Sequence, residues 1–87
     1  MLKLKTHGEP INQYTDIDKY LLVPKKLWGD FELGESELKI DGQKIRTRVY
    51  DIFCECTMPK HNHRIVDLRD VWVKLNLKEN QEVEIER

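Results

Sequence analysis

Hydrophobic and polar positions alternate along much of this chain with the period of two that marks half-buried strands. Leu2 and Leu4 interleave with Lys3 and Lys5, so residues 1–7 read as a strand, ended by Gly8-Glu9-Pro10. Residues 11–18 are polar and irregular, a loop held down by Ile11, Tyr14 and Ile17. Residues 19–23 form a short apolar strand, buried on both faces. Pro24 then sits where a helix would begin, its missing N–H costing nothing in a first turn. Leu27, Trp28 and Phe31 follow at helical spacing, and Gly29 limits the element to about two turns. Gly34 and Glu35 make the exit turn. Residues 37–41 alternate again, and Asp41-Gly42 is a tight hairpin signal between two strands.

The second half repeats that order. Residues 44–56 read as a long strand whose apolar parity shifts: Ile45, Val49 and Phe53 fall on odd positions, Ile52, Cys54 and Cys56 on even ones. A strand that changes its buried face midway contains a bulge or bends around a barrel corner. Residues 57–63 read as a turn and residues 64–66 as the return strand. Asp67 is positioned as an N-cap for a second short helix, in which Leu68, Val71, Trp72 and Leu75 form an i, i+3, i+4, i+7 stripe. Residues 76–81 are its exit turn, and Val83 and Ile85 belong to a last strand.

The two halves also match residue by residue. At an offset of 44, Leu21 meets Ile65, Leu22 meets Val66, Trp28 meets Trp72, Phe31 meets Leu75 and Leu33 meets Leu77. After one extra residue in the second copy, Glu37 meets Glu82, Leu38 meets Val83 and Ile40 meets Ile85. A repeated unit of this size cannot bury its apolar face alone. The expected fold is therefore all-β with two short helices: a six-stranded, pseudo-two-fold barrel formed by one domain over residues 1–87, its repeats spanning about 1–43 and 44–87. Trp28 and Trp72 would plug equivalent ends.

Composition narrows the function classes more than it names one. The 87 residues leave no room for a separate substrate domain. Lys and Arg number 15 against 16 Asp and Glu, a formal net charge of −1, so global electrostatics argue for neither a nucleic-acid nor a membrane partner. The halves differ: residues 1–43 carry 6 basic and 8 acidic groups, residues 44–87 carry 9 and 8, so any basic patch belongs to the second half. No apolar run approaches the roughly 18 residues that span a bilayer, and the first residues lack the apolar centre of a signal peptide. A cytosolic monomer with reduced cysteines is expected.

Two clusters carry candidate chemistry. Cys54 and Cys56, followed by His61 and His63, supply four soft or borderline ligands that a hairpin can bring together around zinc, although one-residue spacings strain each chelate pair. Lys44, Arg46 and Arg48 line one face of the long strand, with Lys60 and Arg64 at its far loop; such a stripe can meet phosphates. A solvated or edge-protecting charged face accounts for the same stripe. Catalytic motifs are missing: there is no phosphate-binding glycine loop, no His-Glu-x-x-His and no nucleophile elbow. A cysteine and histidine pair is the one arrangement a nucleophile could use.

The helix-to-strand passage over residues 66–86, with Asp67-Leu68-Arg69-Asp70 leading to Glu82-Val83-Glu84-Ile85, resembles that of the cradle-loop barrels, among them the AbrB-type transcription factors, the double-psi barrels and the six-stranded RIFT barrels. Two copies in one chain match the RIFT and double-psi members, and the layout is similar to small archaeal RIFT-barrel proteins of unassigned function. The same ending resembles that of the CTP-dependent riboflavin kinases, through Leu68-Arg69-Asp70, Leu75, Leu77-Lys78 and Glu82-Val83-Glu84-Ile85. That family's glycine-rich loop has no counterpart, since only Gly8 precedes Gly29. The resemblance implies a fold. The function expected is that of a small, non-enzymatic binding barrel for nucleic acid, a ribonucleoprotein or another protein partner, with a zinc-binding structural barrel and a riboflavin-kinase-like enzyme as alternatives.

Overall fold

The computed structural model describes residues 2–13, 15–54 and 61–86. Six strands occur in the order β1 (Leu2–His7), β2 (Tyr20–Val23), β3 (Gly34–Ile40), β4 (Gln43–Cys54), β5 (His61–Asp67) and β6 (Glu82–Glu86), with one 3-10 helix, Lys25–Asp30, between β2 and β3. They close into a barrel in the order β1-β2-β5-β4-β3-β6, every neighbouring pair antiparallel. Closure removes sheet edges, the usual liability of a small all-β chain. The cyclic order maps onto itself when β1 is exchanged with β4, β2 with β5 and β3 with β6.

Alternation decides what fills the barrel. Leu4, Leu21, Val23, Leu38, Ile40, Ile45, Val49, Val66, Val83 and Ile85 are buried in one cluster, joined by Phe31, Leu68, Val71 and Leu77 from the connecting segments. β4 changes face as its pattern predicts, and Val49 is where it does so: this residue pairs with Gly34 of β3 and with Val66 of β5. Before it, Ile45 points inward; beyond it, Tyr50 and Ile52 pack outside the barrel with Tyr20, Leu22 and Ile65, under a lid formed by Ile11 and the buried Ile17. The loop expected over residues 11–18 thus covers a second, outer core, and the Asn12 amide ties it down by donating to the Phe53 carbonyl at 2.9 Å. Tyr14, the third anchor expected there, lies outside the described residues.

Turn chemistry follows the residues. Asp41 and Gly42 both adopt positive φ, 48° and 83°, the geometry of a two-residue hairpin matched to the twist of its strands. The 3-10 helix is held by bonds from Leu27 N–H to the Pro24 carbonyl and from Phe31 N–H to the Trp28 carbonyl. Three expectations are corrected. β3 starts at Gly34, whose φ of 104° a side chain would resist, so residues 34–35 open a strand and are not an exit turn. β5 starts at His61, three residues before the expected return strand, because β4 stays paired to it as far as Cys54.

The second helix is the third. Its segment closes with bonds of mixed span, from Val71 N–H to Leu68, from Leu75 N–H to Val71 and from Leu77 N–H to Trp72, so no regular ladder forms. Two β-branched valines and Asn76 at φ 55° work against one. Asp67 still caps the segment, its Oδ1 accepting from the Arg69 N–H at 2.9 Å. No helix among the described residues is long and apolar enough to cross a membrane.

Both indoles lean on the main core and each meets a cation. The Arg64 guanidinium lies 4.6 Å above the Trp28 ring, and the Lys19 ammonium 5.9 Å from the Trp72 ring.

Candidate nucleic-acid interface

Lys44, Arg46 and Arg48 do share the outward face of β4, and β3 runs beside them with carboxylates in register. Glu37 is opposite Arg46 and Glu35 opposite Arg48. The Lys44 ammonium reaches Glu37 at 2.8 Å and Arg48 reaches Glu35 at 3.4 Å. The hydrogen bond from Lys44, then its charge and that of Arg46, hold the Glu37 carboxyl below the usual carboxylate range. These are exposed pairs in high dielectric, individually worth little. They form a ladder of alternating sign, with Lys39 opposite Lys44 as its cationic end.

The segment after β5 adds cations that the strand pattern alone does not place here. Arg46 lies between two shallow clefts: one of about 340 Å³, where Arg48 and Arg69 also sit, and one of about 400 Å³, where Lys44 and Lys74 do. Five cations therefore converge on this face, with Glu35, Glu37, Asp67 and Asp70 among them. Arg69 is bound to Asp67 at 2.9 Å, and this hydrogen bond raises its pKa further above the ordinary arginine value.

Arg64 stands apart from that face. Its Nε and one terminal nitrogen donate to both oxygens of Asp51, at 2.9 and 3.2 Å, while the other terminal nitrogen donates to the carbonyls of Trp28 and Phe31 at 3.3 and 3.2 Å. The guanidinium thus satisfies backbone oxygens at the end of the 3-10 helix and covers the indole, and the hydrogen bond from Arg64 to Asp51 raises the arginine's pKa. Its fork is occupied by the protein itself. Lys60 and Cys56 lie outside the described residues.

For the metal-like set, the β4–β5 register puts Cys54 opposite His61 and Ile52 opposite His63, so Cys54, His61 and His63 occupy positions on one face of the hairpin. His63 also lines a polar cavity of about 310 Å³ with His7, Glu9 and Glu79. Tyr20 closes that cavity, its ring stacked on the His7 imidazole at 5.2 Å. Burial, and secondarily the charge of Glu9, raises the Tyr20 phenol above its ordinary value of 10.0. A raised phenol pKa means the folded state holds the proton more tightly than the unfolded chain, so stability is full below about pH 10 and falls above it. The urea midpoint is expected to stay level from pH 7 to 9 and then drop, with Tyr20→Phe flattening the alkaline limb; an unchanged limb in that variant would assign it to other groups.

A further recess lies at the other side of β2. A groove of about 730 Å³ runs between Val23, Pro24, Lys25 and Trp28 on one side and Asn62 and His63 on the other, floored by Leu22. Helical spacing marks Trp28 as core, and its partial exposure is set by where the projecting hairpin stands, which no local pattern encodes. Phe53, read by parity as an inward residue, is 53% exposed because β4 outruns the barrel interior. Compared with protein-family models, curated proteins and solved structures, the chain matches none.

Proposed function

We propose that this chain is a non-enzymatic binding barrel of the cradle-loop, RIFT-like kind, built from a duplicated unit, acting in the cytosol as a monomer and engaging nucleic acid or a ribonucleoprotein through the outward face of β4. The cyclic strand order that survives exchange of the two halves supports the kinship and the duplication. The observation that carries the function is the convergence of Lys44, Arg46, Arg48, Arg69 and Lys74 around two adjoining clefts. Contacts from such side chains to phosphates supply sequence-independent affinity and make it fall with salt. The interleaved carboxylates limit that affinity and disfavour indiscriminate binding to any polyanion.

Electrophoretic retardation of labelled single-stranded RNA at 50 and 200 mM salt tests the reading. Wild type is expected to bind more weakly at the higher salt. The double variant R46E/R48E should lose roughly tenfold or more at 50 mM, with a salt slope shallower by about two. Retardation indifferent to salt, or a double variant as tight as wild type, removes the β4 face from the mechanism.

A second reading is favoured by one observation: the direct register of Cys54 with His61, two residues from His63. Zinc held there would be a structural clip for the hairpin tip, with coordination favouring thiolate and neutral imidazole. Native mass spectrometry after zinc addition is expected to show one ion per chain, lost in Cys54→Ser; a protein that carries none after dialysis rules the clip out.

A further inference from the structure

We propose that the groove beside Trp28 is a stacking site for a base of a single-stranded nucleic acid, with Phe53 as the next ring along the strand's path. This rests on the nucleic-acid reading above but places the base contacts at a different surface from the β4 cations. The two surfaces would divide the work, phosphates at one and bases at the other.

The first support is an asymmetry. Among the described residues the β4–β5 ladder runs for six register pairs, from Val49 with Val66 to Cys54 with His61, whereas its topological counterpart β1–β2 has two. Closing the barrel does not call for the extra length. The face that continues the barrel interior along this extension carries Asp51 with Arg64 and then Phe53 with Asn62, so its described part bears an exposed aromatic ring in register with an amide.

The second support is a ring already fixed in place. The indole N–H of Trp28 donates to the Val23 carbonyl at 3.1 Å, and the Arg64 guanidinium, itself locked by Asp51 and two backbone carbonyls, occupies one face of the ring, so a base would meet the part of the indole that lines the groove. A platform held this way loses little conformational freedom when a ligand packs against it. The groove is of a size that takes small ligands, and it combines an apolar wall with a few polar groups at the rim, as such sites do.

The rim chemistry selects the occupant. An apolar wall suits the body of a base; the exposed Asn62 amide offers both a donor and an acceptor to a base edge. Lys25 at the mouth, with Lys26 next to it, is exposed and cationic. Asp51, a carboxylate on that hairpin face, is paired with Arg64. A planar, edge-functionalised group carrying an anion is a nucleotide. Stacking of this kind tolerates any base, so little sequence preference is expected.

The test uses Trp72→Phe, which leaves Trp28 as the single indole reporter. An eight-residue oligouridylate is expected to quench its emission, while inorganic polyphosphate of matched charge is not. In gel retardation with the same oligouridylate, Phe53→Ala and Asn62→Ala should each weaken binding about five- to fifty-fold with thermal midpoints unchanged. The quench should also survive in R46E/R48E at raised oligonucleotide concentration. If oligouridylate is retarded while Trp28 emission stays constant and Phe53→Ala binds as tightly as wild type, the strand lies elsewhere: this inference falls and the β4 reading stands. Quenching with full affinity in R46E/R48E upholds the groove and removes the β4 face. Equal quenching by polyphosphate, or neither retardation nor quenching by oligouridylate, overturns the stacking site.

Discussion

Thr6→Val is expected to lower the unfolding free energy by about 3 kcal/mol, with a fall in thermal midpoint on the order of 15 °C for a chain of this length. Thr6 has no exposed surface, and its hydroxyl both donates to the Lys78 carbonyl and accepts from the Gln81 N–H at 2.9 Å. Its backbone adds a bond from Thr6 N–H to the Gln81 carbonyl and one accepted from Asn80 N–H. One residue of β1 thus fastens the turn that feeds β6. Valine keeps the volume and the β-branch, so the loss isolates the hydroxyl: two backbone groups in a dry place lose their partner, each costing roughly 1–3 kcal/mol. Thr6→Ser, which keeps the oxygen and drops a methyl, should cost about 1 kcal/mol. Urea denaturation of the three proteins checks the ordering, and a valine variant within 1 kcal/mol of wild type would mean that water replaces the hydroxyl.

Arg64→Leu is the second large effect, also about 3 kcal/mol. Removing one partner of a partly buried pair leaves the other charge stranded, here Asp51, and also strips the carbonyls of Trp28 and Phe31. The Arg64 and Asp51 side chains are 15% and 25% exposed, wet enough to hold the cost toward the lower end of what fully buried pairs show. Arg64→Lys should recover no more than half, because a single ammonium cannot span a carboxylate and two carbonyls as the planar fork does. The double variant R64L/D51L should be more stable than R64L alone, a coupling that a double-mutant cycle in urea measures. Full recovery in R64K would assign the effect to charge over the indole and not to the fork. Because the same guanidinium braces Trp28, loosening it should also broaden the indole emission.

Local pattern carries most of the architecture. Alternation in residues 1–7, 37–41 and 82–86 locates β1, β3 and β6 to within a few residues, and Asp41-Gly42 identifies its hairpin from turn chemistry alone. The parity shift between Val49 and Ile52 anticipates a strand shared by two environments, which the pairing of Val49 with both β3 and β5 realises. What the pattern misses is set at long range. Leu68, Val71, Trp72 and Leu75 have helical spacing, yet burying Leu68, Val71 and Leu77 together under the barrel end draws the segment into mixed turns. His61 and Asn62 join β5 because β4 is there to pair with them, not through any strand propensity of their own.

The candidate site is legible only in part. Lys44, Arg46 and Arg48 fall on one face as their spacing requires, but the carboxylates facing them come from β3 and the further cations from the segment after β5, relations that follow from closure. Arg64 reads as one more cation in a basic run, and only the fold reveals that its donors are spent on Asp51 and on backbone. The groove at Trp28 is a product of how far one hairpin projects, a quantity with no local signature.

The ring of strands is not stitched evenly. Among the described residues, β1 meets β2 through two register pairs and β3 meets β6 through two, while β1 and β6 are joined by four. Both weak seams flank the same two-stranded ribbon. Partial opening should therefore swing β1 and β6 out as a unit, leaving β2, β5, β4 and β3 as a four-stranded remnant, and amides of the ribbon should exchange with solvent together and ahead of those at the β4–β5 ladder.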